Sequence, residues 1–314
     1  MDGRAVVVGE ALIDVVQQGS VTEEHAGGSA LNVAVALGRL DRPVDFLTRM
    51  GEDDRGAVLR EHLRASGVDL LPESVVPSSP TSTAVATLDT QGVASYQFDL
   101  DWDVAIGAAP MTPLVVHASS MATVMPPGGA KVAGYMQRAR DRATISYDPN
   151  IRAGIMGPVD RVRPLVERLV GLSDVVKAST EDIVWLYPGS SAEEVVRRWS
   201  QAGPYLVVIT DGENGALAAT RRTLLQVPAE PATVVDTIGA GDTFSAGLID
   251  GLWAQNLLGA HRRAQLAALS RDDAALLLMH AGRAAAITVS RPGARPPTRQ
   301  EMIEASRAAR QPPV

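Results

Sequence analysis

In the stretch DTIGAGDTF (236–244), two aspartates, Asp236 and Asp242, bracket a loop made only of Thr, Ile, Gly and Ala. Phe244, Leu248 and Leu252 then recur with a helical period, which predicts a helix starting near Gly241. A helix start offers unpaired N–H groups and a partial positive charge. Gly239 and Gly241 carry no side chain that would keep a ligand off the backbone. The N–H groups of Gly239, Ala240 and Gly241 therefore suit a phosphate or a developing oxyanion. Asp242, in the first helical turn, suits a general base. The same residues also fit a glycine turn capped by Asp242, and local sequence leaves both readings open. Two nucleotide motifs are excluded. GAGDTF lacks the third glycine of G-x-G-x-x-G, and no G-x-x-x-x-G-K-[ST] occurs.

Other stretches carry polar groups at turns. In GGSALN (27–32), Gly27 and Gly28 precede a helix whose first turn presents Asn32, either to a cleft or to solvent. RMGEDDRG (49–56), YDPNIR (147–152), KASTED (177–182) and TDGENGA (210–216) each run from an apolar segment into a turn. The five histidines show no metal-ligand spacing and are read as structural.

The elements that must position these groups follow from hydrophobic patterning. Strand-like runs lie at 5–9, 45–51, 113–119, 143–148, 174–179 and 205–210, with ATVV (232–235) a further one before the glycine loop. Helical segments lie at 29–40, 54–66, 129–141, 159–171, 180–187 and 191–202, and 245–289 is mainly helical. Apolar strands alternating with helices predict an α/β fold with a mostly parallel sheet covered on both faces. Residues 81–103 depart from that rhythm. Runs at 82–88 and 93–99 flank DTQG and read as an antiparallel hairpin. Residues 11–24 join it in a small β-sheet lid.

Bulk properties exclude several classes. At 314 residues, 46% hydrophobic and 21% charged, the chain has the composition of a globular protein. Its net charge of -7 and scattered arginines give no basic face for nucleic acid. Without cysteine there is no disulfide, thiolate metal site or cysteine catalysis, which fits a cytoplasmic setting. Glu10 and Asp14 interrupt the apolar N-terminus, so it reads as a strand and not as a signal peptide. Residues 104–130 lack charge, but Pro110, Pro113, Pro126 and Pro127 break them, so no membrane span is expected.

Together the motifs resemble the ribokinase-like (PfkB) carbohydrate kinases. The family's N-terminal signature is matched by Gly27, Gly28, Asn32, Gly51, Asp53 and Gly56. Its D-T-x-G-A-G-D signature is matched without departure by Asp236 through Asp242. The resemblance covers nearly the whole chain. It implies one ribokinase-like three-layer α/β domain over 1–314, with a lid from about 11–24 and 81–104. It also implies ATP-dependent transfer of a γ-phosphoryl group to a sugar hydroxyl, with Asp242 as base and Gly239–Gly241 as anion hole.

The resemblance sorts the weaker signals. Asp14 becomes a buried acceptor for sugar hydroxyls, alongside Gly28 and Asn32. The lid aromatics Tyr96, Phe98 and Trp102 stack on sugar or pack the lid. Asn150 lies near phosphate and magnesium, with Asp148 and Arg152 in support. Lys177, Thr210, Gly212, Gly215 and Gly241 belong to the nucleotide site. Glu181 holds Mg2+ through water, and Asp236 holds a monovalent cation such as K+. Several stretches lean toward fructokinase-like members, with ribokinase and 2-keto-3-deoxygluconate kinase as alternatives on the same framework. A non-catalytic sugar- or nucleotide-binding protein is the alternative of another class. The open edges of a lid sheet predict a homodimer through it.

Overall fold

The computed structural model describes residues 3–19, 21–88, 94–107 and 112–309. In chain order the elements are β1 (Ala5–Val8), β2 (Leu12–Gln18), β3 (Val21–Gly27), α1 (Ser29–Arg39), β4 (Val44–Leu47), α2 (Asp54–Ala65), β5 (Val68–Leu70), β6 (Thr83–Leu88) and β7 (Ala94–Asp99). Then come β8 (Val115–Ser119), α3 (Gly128–Ala139), β9 (Thr144–Asp148), α4 (Ala153–Met156), α5 (Val159–Leu172), β10 (Val175–Ser179), α6 (Thr180–Leu186), α7 (Ala192–Ala202) and β11 (Leu206–Thr210). The chain continues through β12 (Ala216–Ala219), β13 (Leu224–Val227), α8 (Ala240–Ala254), α9 (Arg263–Ala267), α10 (Arg271–Val289) and α11 (Arg299–Ala308).

Among the described residues the strands form two sheets. The larger has nine strands in the order β13-β12-β11-β10-β9-β8-β1-β4-β5. It is parallel from β5 to β11, and the β12–β13 hairpin adds an antiparallel edge. Successive side chains of a strand point to opposite faces. Ala5 and Val7 accordingly enter one core with Phe46, Leu31, Leu59, Leu248 and Leu277. Val6 and Val8 enter a second core with Val116, Ile145, Val166 and Trp199. Helices α1, α2, α8 and α10 thus cover one face, and α3, α5 and α7 cover the other. From β1 the chain proceeds one way to β4 and β5, then returns to β8 on the opposite side. In open α/β sheets, the carboxyl ends of strands at such a reversal are where ligands bind.

The smaller sheet has the order β3-β2-β6-β7. The β6–β7 hairpin is antiparallel as expected, and β2 pairs with β6 in parallel. Its DTQG turn lies outside the described residues. Ile13 and Val15 are buried in the core beneath this sheet. Asp14 points to the opposite face, opposite Ala84, which in turn opposes Phe98.

Two devices tie this sheet to the body. Asp53 caps α2 through Gly56 N–H at 2.7 Å, and also accepts from the Thr81 N–H at 2.8 Å and hydroxyl at 2.6 Å. The G-x-D-x-x-G turn thereby pins the segment leading into β6. Trp102 is buried and donates its indole N–H to Ala122 O at 2.7 Å. Of its two expected roles, stacking on sugar or packing, it takes packing.

Three sequence expectations are corrected. Residues 232–235 form no strand, and Val234 and Val235 are exposed. The β-branched run has no neighbouring strand to pair with. β5 and the β12–β13 hairpin were not expected, because β5 is three residues long and β12 reads Ala-Leu-Ala-Ala. The small sheet extends past residue 24, since β3 runs to Gly27.

Candidate active site

The site lies at the carboxyl ends of β1, β8, β9 and β10. It is built around the start of α8, near Gly241 as the period predicted, with Gly239 as N-cap at φ +73°. A Cβ on Gly239 would come within 2.7 Å of the Ala294 methyl group. One on Gly241 would come within 2.9 Å of Lys177 Nζ. Only glycine fits at either position without displacing a neighbour. Ala240 N–H donates to Thr237 O at 3.2 Å. Among the described residues, no acceptor takes the N–H of Gly239, Gly241 or Asp242. The free donors expected of a helix start are thus present on the two glycines. The Ala240 donor is engaged within the turn.

Asp242 is buried, and α8 holds it at the centre of a polar network. Its Oδ2 accepts from Asn32 Nδ2 at 2.8 Å. Its Oδ1 accepts from Ser29 Oγ at 2.7 Å and from Asn150 Nδ2 at 3.3 Å. Desolvation raises this carboxyl above its ordinary value, and the bonds from Asn32 and Ser29 work against that rise. Asn150 follows β9 with φ +34°, a conformation Asn tolerates better than most residues. Its N–H is held by Asp148 Oδ1 at 3.1 Å, and the next N–H, of Ile151, by Asp182 Oδ1 at 2.6 Å.

Behind the glycine loop, Lys177 on β10 forms a buried ion pair with Asp148 Oδ2 at 3.0 Å. Ser245 donates to the same oxygen at 3.0 Å. Desolvation opposes the Lys177 charge, but Asp148 and Asp182 outweigh it and raise the group above its ordinary value. Lys177 thus places a fixed positive charge under Gly241.

Glu10, Ser29, Ser119, Asp182 and Ser245 complete the network and were not singled out from sequence as site residues. Glu10 lies two residues past the apolar β1, and its Oε1 accepts the Ser29 N–H at 3.0 Å. Its other oxygen is buried with no partner among the described residues. Burial pushes its carboxyl up to about 7. A charged residue directly after an apolar strand was the available signal. The serines carried none, because their role depends on contacts between distant segments.

The remaining expected residues are placed as follows. Gly28 has φ +111° and would drive a Cβ to 2.5 Å from Glu10 O. Asp14 sits against the start of α1, and a Cβ on Gly27 would fall 2.0 Å from its Oδ2. Asp14 is solvent-exposed, which corrects the expectation of a buried acceptor. The surrounding protein crowds its inner side enough to raise its carboxyl by desolvation. Phe98 shares the Asp14 face of the small sheet, and the Tyr96 side chain lies outside the described residues. Asp236 accepts from Ile238 N–H at 2.9 Å and Gly293 N–H at 2.8 Å, so both its oxygens anchor the glycine loop. Those bonds hold its carboxyl below the usual range. Glu181 is exposed in the first turn of α6. Thr210 ends β11, donating to Ala178 O at 3.3 Å, and leads to Gly212 at φ +49°. Gly215, at φ +91°, would bring a Cβ to 2.1 Å from Val227 O, so it shapes the turn into β12. Asn32, Asn150, Lys177 and Gly241 therefore meet at Asp242, whereas Thr210, Gly212 and Gly215 stand apart from that network.

The comparisons with known proteins agree with this geometry. A fructokinase of Rhizobium leguminosarum bv. trifolii is 34% identical over 268 residues, covering 82% of each chain. A crystal structure of Xylella fastidiosa fructokinase with bound ATP superposes with a TM-score of 0.84 at 25% identity, covering 99% of this chain and 100% of that one. Fructokinase from Vibrio cholerae O395, in fructose-, ADP- and calcium-bound form, gives a TM-score of 0.76 at 26% identity over 96% and 98% of the two chains. The ribokinase-like α/β architecture expected from the motifs is the one observed. The model of the pfkB family of carbohydrate kinases matches residues 3–301, and this chain belongs to that family.

Proposed function

We propose that this chain transfers the γ-phosphoryl group of ATP to a hydroxyl of a sugar, with fructose as the preferred acceptor. The observation that carries the reading is the placement of Asp242. It is a buried carboxylate with two amides and a hydroxyl on it, in the first turn of a helix whose glycine N–H groups are free. Asp242 takes the proton of the attacking hydroxyl. The N–H groups of Gly239 and Gly241 stabilise charge on the transferring group, while the Ala240 N–H is held by Thr237 O. Lys177, fixed by Asp148, adds positive potential beneath the loop. Phosphoryl transfer depends mostly on positioning and electrostatics, which these groups supply.

The sugar is assigned to Gly28, Asn32 and Asp14, with Phe98 on the Asp14 face of the small sheet closing over it. The nucleotide is assigned to Asn150, Lys177, Thr210, Gly212 and Gly215. The fructose preference is supported by the fructokinase relatives and by the fructose-bound neighbour. Hard oxygen donors at Glu181 and Asn150 fit Mg2+ held largely through water, which neutralises phosphate charge when bound. Asp236 is the candidate for ordering K+, a reading supported by a neighbouring fructokinase structure that holds a potassium ion. The whole chain is read as one domain with the small sheet as its lid. The exposed edge β3 of that sheet favours a homodimer, and an ATP-consuming, cysteine-free chain fits the cytoplasm.

The test is ADP release across fructose, ribose, 2-keto-3-deoxygluconate, tagatose phosphate and nucleosides. The reading predicts the highest kcat/KM with fructose. A higher value with another sugar would replace fructose as the acceptor. No ADP release with any of them would favour a binding protein on the same fold.

A further inference from the structure

Ser29 carries more bonds than a helix-start serine needs. It is buried in the first turn of α1, where β1 and β8 part. Its backbone N–H is taken by Glu10 Oε1 at 3.0 Å, so the residue is held from below. Its hydroxyl meets three groups: Asp242 Oδ1 at 2.7 Å, Asn150 Nδ2 at 2.7 Å and Ser119 Oγ at 3.0 Å.

A hydroxyl has one proton to donate and two lone pairs. Asn150 Nδ2 can only donate, so it takes one lone pair. The Asp242 carboxylate can only accept, so it takes the proton. Ser119 fills the remaining lone pair. Every valence of Ser29 is used, and its proton points at Asp242.

The consequence reaches the carboxylate. Oδ1 accepts from Ser29 and Asn150, which fills it. Among the described residues Oδ2 accepts only from Asn32, which leaves it a lone pair. We infer that Ser29 is the positioning residue of the catalytic base: it clamps Oδ1 so that Oδ2 is the oxygen that takes the sugar proton. The inference rests on Asp242 being the base. Ser29 acts through Asp242, whose Oδ1 takes its proton. The charged groups around Asp242 are Asp148 on β9, Lys177 on β10 and Glu10, two residues past β1. Ser29→Ala leaves all of them in place, along with the backbone bond to Glu10.

The experiment compares Ser29→Ala, Ser29→Thr and Asp242→Asn by ADP release with fructose across pH. Ser29→Ala should lower kcat roughly tenfold, the low end for losing a bond to a charged group, with both KM values unchanged. Its acid limb should move to higher pH, because a bond that favoured the ionised carboxylate is gone. Ser29→Thr, which keeps the hydroxyl, should restore the wild-type limb. An unmoved acid limb in Ser29→Ala, or an equal loss in Ser29→Thr, would overturn the positioning role. If Asp242→Asn is inactive while Ser29→Ala behaves as wild type, only the Ser29 inference falls. If Asp242→Asn keeps near-normal kcat, the base assignment falls and takes this inference with it.

Discussion

Asn32 Nδ2 lies 2.8 Å from Asp242 Oδ2, although the two residues are 210 positions apart in sequence. The amide assigned to the sugar and the carboxylate assigned to proton transfer are one hydrogen-bonded unit. Binding and chemistry should therefore fail together at this position. Asn32→Ala should raise KM for the sugar and lower kcat by about tenfold or more, because a bond to a charged group is lost. The acid limb of kcat should also move up, since this bond lowers the Asp242 carboxyl. Kinetics over a pH series measure both. A raised KM with unchanged kcat and limb would show that the bond serves binding alone.

Glu10 gives a prediction about stability. Its folded carboxyl is raised to about 7 from an ordinary 4.5, mainly by desolvation. A raised carboxyl favours the protonated folded state. Its contribution is fully present below about 4.5 and is lost as pH rises through about 7. Glu10→Gln keeps an acceptor for the Ser29 N–H and removes the buried charge. The variant should match wild type near pH 4.5 and be more stable at pH 8 and above, by on the order of 3 kcal/mol. Thermal unfolding at the two pH values reads the difference. Equal stability at pH 8 would contradict a buried, strained carboxylate.

The Lys177–Asp148 pair is buried on both sides, with side chains 6% and 1% exposed. Removing one partner strands the other charge in the core, at a cost of about 3–5 kcal/mol. Lys177→Met should destabilise by that order and lower kcat, because the charge beneath Gly241 is lost. Lys177→Met combined with Asp148→Asn should recover stability and leave kcat low. Recovery of kcat in the double variant would assign Lys177 to folding only.

The parts of the site legible in the sequence were those written into one contiguous segment. The start of α8 could be read because Gly239, Gly241 and Asp242 sit beside the helical period of Phe244, Leu248 and Leu252. Gly27 and Gly28 announced the turn into α1 in the same way. Ser29 could not be read, since its significance comes from Asp242, Asn150 and Ser119 on three other segments. Glu10 was visible as a charge just after an apolar strand, but nothing local says that the charge is buried against α1. The 232–235 run misled for a related reason: β-branched residues favour strands only where a neighbouring strand exists to pair with them. The exposure of Asp14 could not be read, because it depends on how the small sheet packs against the start of α1.

The central claim is that Asp242 is the general base of a sugar kinase, and Asp242→Asn tests it most directly. ADP release with saturating fructose and ATP should fall by roughly two or more decades in kcat. Binding of both substrates, followed by calorimetry, should persist, because asparagine keeps the size of the side chain and an acceptor for Ser29 or Asn32. A variant that binds both substrates and turns over at near the wild-type rate would contradict the account.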